Sequence, residues 1–339
     1  MNILRFTIPA MLTVAATMTA PAFSSCSGNS KPESTSESES NQKPSHPGGP
    51  QLGKPGGGPT IDKSDDATLQ AMIKELVPKF RQLEFKDDVT GKVMKYNLFS
   101  PEDAGERASY PLVMFIADAS TPGTDYTTPL TQGYGGLVWA TGEWQAKHPC
   151  YVLVPQFAGV AVNDAYEHTD EADVAIRLLK HVVAIEKVDT SRLYTTGQSM
   201  GGMLSMYYNV TYPDLFAASL FVDSHWNVST FPDLVKHKFV WVTAGDSGKA
   251  WPEIKPLEEA ARAEGIPYAY TRWSAKLPQA QQDSLATDLL SKGTPVNIIN
   301  FAPGSVLKNG KGSEHMYSFD YAYRLTPVRE WMFRQSRVK

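Results

Sequence analysis

A mainly parallel β-sheet covered by helices on both faces is the fold class this sequence predicts, and three observations predict it. Short apolar runs recur without polar alternation, notably Leu112-Val113-Met114-Phe115-Ile116 and Val152-Leu153-Val154, as expected of strands buried on both faces. Amphipathic helical stretches separate them, the clearest carrying Ala172, Ala175, Ile176, Leu179, Val182 and Val183 on one face. Between a short strand at 193–195 and a helix from Met200 stands Gly197-Gln198-Ser199-Met200-Gly201, a serine at a glycine-flanked strand-to-helix turn. Strands separated by helices of this length imply parallel pairing.

The elements follow in order. Asp65-Asp66 opens a helix through Leu69, Met72, Leu76 and Phe80, at the i/i+3/i+4 spacing of one buried face. Residues 93–98 alternate as a strand that ends before Pro101, and 112–116 and 152–154 are the buried strands. The helix at 172–183 carries acidic residues in its first turn, where the helix dipole favours them. Strands at 193–195, 220–222 and 239–242 surround the helix from Met200. Helices at 253–263 and 279–290, a strand at 296–299, and a terminal helix with Thr326 as N-cap and Pro327 at its first position complete the body. No internal repeat is present.

Composition narrows the function. The 339-residue chain carries 32 Lys+Arg against 36 Asp+Glu, a formal net charge of −4, which argues against a nucleic-acid binder with its basic face. Two cysteines exclude a disulfide scaffold and a Cys-rich zinc module. Residues 1–25 read as a secretory signal: Arg5 precedes an apolar stretch at 8–20, too short to span a bilayer, and small residues follow. Two exits compete. Ala20-Pro21-Ala22 suits cleavage to a soluble exported chain, whereas Phe23-Ser24-Ser25-Cys26 resembles a bacterial lipobox with Phe in place of the usual Leu. The favoured reading is a lipid on Cys26, the only membrane contact expected, which makes the protein an outer-membrane or periplasmic lipoprotein. The alternative is a secreted or periplasmic one. Residues 26–60 are rich in Ser and Glu, then Gly and Pro, and bury too little apolar surface to offset the entropy of ordering. They are expected to be a disordered tether, ahead of a single catalytic domain at 61–339.

The chemistry is expected at Ser199. Its turn forces a strained backbone that exposes the hydroxyl above the sheet edge, with Gly197 and Gly201 giving room for helix and strand to pass. The Met200 N–H then points into the site at a helix N-terminus. The sequence resembles the α/β-hydrolase superfamily, and within it secreted bacterial esterases related to polyhydroxybutyrate depolymerases, feruloyl esterases and prolyl-oligopeptidase-like peptidases. The resemblance rests on Tyr110-Pro111-Leu112-Val113-Met114-Phe115 and on Val188-Asp189-Thr190-Ser191-Arg192-Leu193-Tyr194 leading into the serine motif. It extends to Tyr212-Pro213-Asp214-Leu215-Phe216-Ala217-Ala218 and His315-Met316-Tyr317, and covers roughly 85–335. It implies an α/β-hydrolase fold with a sheet of about eight strands and a Ser-acid-His triad.

Of the seven histidines, only His315 lies beyond the last strand, in what reads as an exposed loop. The acid is left open. Asp246, in Gly245-Asp246-Ser247-Gly248, is the first choice, although Gly248 occupies the position where the family carries Asp; Asp223, in Val222-Asp223-Ser224-His225, is the second. The family's His-Gly after the first core strand is replaced by Ala117-Asp118-Ala119-Ser120, so the second oxyanion donor is expected to be Ala119 N–H, and Asp118 is unfavourable there unless it points away or is paired. Gln198, Asp118, His225, Trp226 and Trp251 are candidates to line the substrate cleft, with Tyr126 and Tyr134 in nearby edge loops. No metal-ligand pattern supports Asp246, Asp223 and His225 as a cation site, and no cofactor is expected. The substrate expected is a small or polysaccharide-linked ester, with peptide cleavage by the same triad and a non-catalytic glycan- or peptide-binding role as competitors.

Overall fold

The computed structural model describes residues 51–57, 60–102 and 104–337, all in the compact unit that begins at Pro47. The signal at 1–25, Cys26 and most of the tether lie outside the described residues.

The described residues form nine strands: β1 (Arg81–Lys86), β2 (Val93–Phe99), β3 (Tyr110–Ile116), β4 (Tyr151–Gln156), β5 (Val188–Gln198), β6 (Ala218–Val222), β7 (Phe239–Ala244), β8 (Tyr268–Trp273) and β9 (Val296–Phe301). They form one sheet in the order β1-β2-β4-β3-β5-β6-β7-β9-β8, antiparallel from β1 to β4 and parallel from there on. The two strands that the apolar pattern does not reveal, β1 and β8, are the edges. Each carries charge (Arg81-Gln82-Leu83-Glu84-Phe85-Lys86 and Tyr268-Ala269-Tyr270-Thr271-Arg272-Trp273) because an edge strand is only half covered.

The continuous apolar runs have the reason expected of them. Along β3, Val113 and Phe115 enter one core while Leu112 and Met114 enter the other. The first core is closed by α1 (Ala67–Leu76), the short helices α2 (Thr128–Thr131), α3 (Tyr134–Leu137) and α4 (Gly142–Lys147), and by α8 (Gln279–Leu290), α9 (Glu314–Arg324) and α10 (Thr326–Phe333). The second is closed by α5 (Glu171–Ile185), α6 (Met200–Thr211) and α7 (Trp251–Ala263). Asp66 caps α1 by accepting the Leu69 N–H at 3.0 Å. Thr326 is the first residue of α10 and Leu325 holds the cap position, one residue earlier than expected.

The end of the expected tether is docked. Leu52 pairs with Val160, Gly53 N–H donates to Val160 O at 2.8 Å, and Gly56 N–H donates to Pro122 O at 3.1 Å. Backbone groups in the loops after β3 and β4 supply the partners, so this stretch needs no apolar side chains to be held. Gly56 is required by the fit: a Cβ there would lie 2.6 Å from Ala119 O. Gly56→Val should therefore lift this strap, seen as faster amide exchange at Gly53 and Gly56 and new proteolytic cleavage between 51 and 60. Unchanged exchange would show that the strap is not held at Gly56.

Candidate active site

The β5–α6 turn is as sharp as the motif requires. Ser199 has φ 50° and ψ −118°, a strained conformation for a residue with a side chain, and it remains partly exposed while its neighbours Gln198 and Met200 are buried. Two close approaches allow this. A Cβ on Gly197 would lie 2.2 Å from the Gly201 carbonyl carbon, and one on Gly201 would lie 1.9 Å from Ile116 O at the end of β3. Met200 begins α6, so its N–H is one of the helix's first four, which have no partner within the helix.

His315 reaches this serine from above the far side of the sheet. Its Nε2 lies 2.9 Å from Ser199 Oγ, and its Nδ1 lies 2.8 Å from Asp223 Oδ2. The histidine is not in a loop, as expected, but in the first turn of α9, whose cap Ser313 accepts the Met316 N–H. Its side chain keeps 40% exposure, enough to meet a substrate.

The acid beside it is Asp223, and the first choice, Asp246, is corrected. Asp223 follows β6, the strand next to β5, and is buried with φ 39°; its Oδ1 accepts the Ala244 N–H at 3.3 Å. Asp246 is exposed. The reason lies in the turn after β7, where Glu314 packs over Gly245 so closely that a Cβ there would lie 2.4 Å from its carboxylate. The residue next to His315 thus fills the place that an acid after β7 would need.

Ser199, Asp223 and His315 open into a cleft of about 360 Å³. The loop residues Asp118, Ala119 and Ser120 line it together with Asp164, His225, residues 247–250 and Met316. Of the expected lining residues, Asp118 and His225 are present. Gln198 is buried behind the cleft and bonds to Gln132 and Asp118. Trp226 is packed among Tyr166, Tyr207 and Phe231, and Trp251 lies under the Arg272 guanidinium, so neither lines the cleft. Tyr134 is likewise buried in α3 rather than in an edge loop. Asp164, Lys249 and Gln132 were not picked out by sequence, because they carry no motif and only the folded loops bring Asp164 to Lys249. Among the described residues no group of three or more His, Cys, Asp or Glu is arranged to hold a metal ion.

No family model and no curated protein matches this chain. Solved structures do. A thermostable esterase is 25% identical with a TM-score of 0.58, the match covering 77% of this chain and 64% of that one, so this chain spans less than two thirds of the esterase's length. The feruloyl esterase module from Clostridium thermocellum aligns over 82% of this chain and 94% of its own at 12% identity, with a TM-score of 0.53; that likeness is one of fold. The sheet order, the turn at Ser199 and these similarities define an α/β-hydrolase fold.

Electrostatics separates the two histidines of the cleft. Burial opposes charge on His315, but the hydrogen bond and charge of Asp223, joined by the charge of Asp118, outweigh it and hold the ring above the ordinary 6.5. Burial instead pushes His225 down to about 4, despite Asp164 with its Oδ1 3.6 Å away. NMR titration of the ring protons should show His315 gaining its proton at a pH above 6.5 and His225 staying neutral to about 4. Asp223→Asn removes the charge that favours the imidazolium, so the His315 midpoint should fall. A wild-type midpoint at or below 6.5 would contradict this account.

Proposed function

We propose that this protein is a serine hydrolase that cleaves carboxylic esters through an acyl-enzyme, acting on small or polysaccharide-linked esters at the cell envelope. The observation that carries this reading is the unbroken relay from Ser199 Oγ through both His315 nitrogens to Asp223 at the floor of an open cleft. In that relay Nδ1–H donates to Asp223 and Nε2 accepts from the Ser199 hydroxyl. His315 takes the hydroxyl proton as Ser199 Oγ attacks the acyl carbonyl, and Asp223 holds the tautomer and stabilises the imidazolium. The oxyanion is received by the Met200 N–H, with the dipole of α6 behind it, and by the Ala119 N–H. His315 then gives its proton to the departing alcohol. Water, activated by the same ring, releases the acid and restores Ser199.

A base must be neutral to act. With the His315 pKa raised, kcat/KM is lost as pH falls through a value above 6.5. Envelope location is supported by the signal-like residues 1–25 and by Cys26, and mass spectrometry of the mature chain should find a lipidated Cys26 as its first residue. A chain beginning at Phe23 would remove the anchor.

The kinetic test uses p-nitrophenyl acetate. Ser199→Ala should lower turnover by about 10⁴–10⁶ and Asp223→Asn by about 10⁴, whereas Asp246→Asn should remain within about threefold of wild type, as expected of an exposed surface position. Cleavage of an aminoacyl-proline anilide with no ester hydrolysis would replace this reading by a peptidase. Failure of a fluorophosphonate to label Ser199 would favour a non-catalytic binding protein.

A further inference from the structure

Asp118 presents a problem that the proposed reaction does not explain. It is 2% exposed beside the place where negative charge develops, yet its carboxylate bonds only to neutral donors. Oδ1 accepts the Ser120 N–H at 2.7 Å; Oδ2 accepts Gln132 Nε2 and, at 3.4 Å, Gln198 Nε2. The ring closes on itself: Gln198 Nε2 donates to Gln132 Oε1 at 2.8 Å, and Gln132 Nε2 also donates to Ser120 Oγ at 2.8 Å. A buried charge satisfied by dipoles alone is costly, since no cation in the ring offsets its desolvation.

We propose that Asp118 is a positioning residue, whose carboxylate locks the loop bearing the Ala119 N–H to the nucleophile turn through Ser120, Gln132 and Gln198. This inference rests on the ester-hydrolase reading above. Ala119 stands between the carboxylate's own residue and the Ser120 N–H that it grips, so its N–H direction is set by a two-residue Asx-type turn. The far end of the ring is Gln198, which directly precedes Ser199. The loop and the nucleophile are therefore referenced to one carboxylate rather than to each other across solvent. Outside the loop, the strap at Gly56 meets the Ala119 and Ser120 backbone and leaves no space for outward movement. The two glutamine amides and the Ser120 N–H occupy three of the roughly four lone-pair sites of the carboxylate, which fixes its orientation. Only a carboxylate suits the position. An asparagine has one acceptor oxygen and would turn an NH2 towards the Ser120 N–H or towards the glutamine NH2 groups.

The charge has a second consequence. His315 is faced by Asp223, Asp118, Lys249 and His225, and the negative charge of Asp118 adds to that of Asp223 in favouring the imidazolium that forms with the oxyanion. Removing it should be visible in the ring's titration, which a purely structural role would not move.

The test compares wild type, Asp118→Asn and Gln132→Leu. Asp118→Asn should lower kcat on p-nitrophenyl acetate by about ten- to a hundredfold with KM little changed. Its affinity for a trifluoromethyl ketone, which mimics the tetrahedral adduct, should weaken in parallel, and the His315 NMR midpoint should move down. Gln132→Leu breaks the ring but keeps the charge, so kcat should fall while the His315 midpoint stays; it also serves if Asp118→Asn does not fold. A wild type that neither hydrolyses the ester nor takes a fluorophosphonate overturns the ester-hydrolase reading and this role with it. An active wild type matched within about twofold in kcat and in trifluoromethyl ketone affinity by both variants overturns the positioning role of Asp118 alone, whether or not the titration moves.

Discussion

The contact on which the site depends is the approach of α6 to the end of β3, where Gly201 meets the Ile116 carbonyl with no space for a Cβ. Everything nearby follows from that spacing. Because α6 starts so close to the sheet, the chain must reverse within one residue, and that residue is Ser199 in its strained conformation. Because β3 ends beneath the same helix, the loop that follows it, 117–122, stands beside the serine instead of turning away. A side chain at 201 would push the helix off the strand and separate the Met200 N–H from the Ala119 N–H. One backbone contact therefore sets both the exposure of the serine and the width of the pair of donors proposed to receive an oxyanion.

The relay that completes the site depends on strand order. β6 is adjacent to β5, so an acid directly after β6 lies one strand from the serine, within reach of a histidine arriving from beyond β9. The place after β7 is one strand further and is filled by Glu314, which also accepts the Gly304 N–H at 2.5 Å. His315 is the next residue of the same helix turn. Packing of Glu314 against Gly245 thus seats α9 and aims the imidazole together, and the exposed Asp246 has no part in either.

Charge in the cleft is distributed with similar economy. Asp164 is paired with Lys249 and lies near a neutral His225, Asp223 is paired with His315, and Asp118 is held by amides alone.

Much of this was readable from the sequence itself. Apolar runs determined the parallel strands because residues buried on both faces cannot alternate, and the glycines around Ser199 determined the turn because nothing larger fits a strand and helix at that distance. His315 followed from its place beyond the last strand. The edge strands β1 and β8, the strap at 51–57 and the ring around Asp118 were not readable: the edge strands interrupt their apolar residues with charge, and the strap and the ring are held by backbone or amide bonds that leave no periodic trace. Asp223 and Asp246 sit after neighbouring strands in equally acidic, glycine- or serine-flanked turns, so local chemistry could not choose between them. Only the tertiary structure decided, because a hydrogen bond of 2.8 Å depends on which strand end faces His315 and which turn Glu314 has already filled.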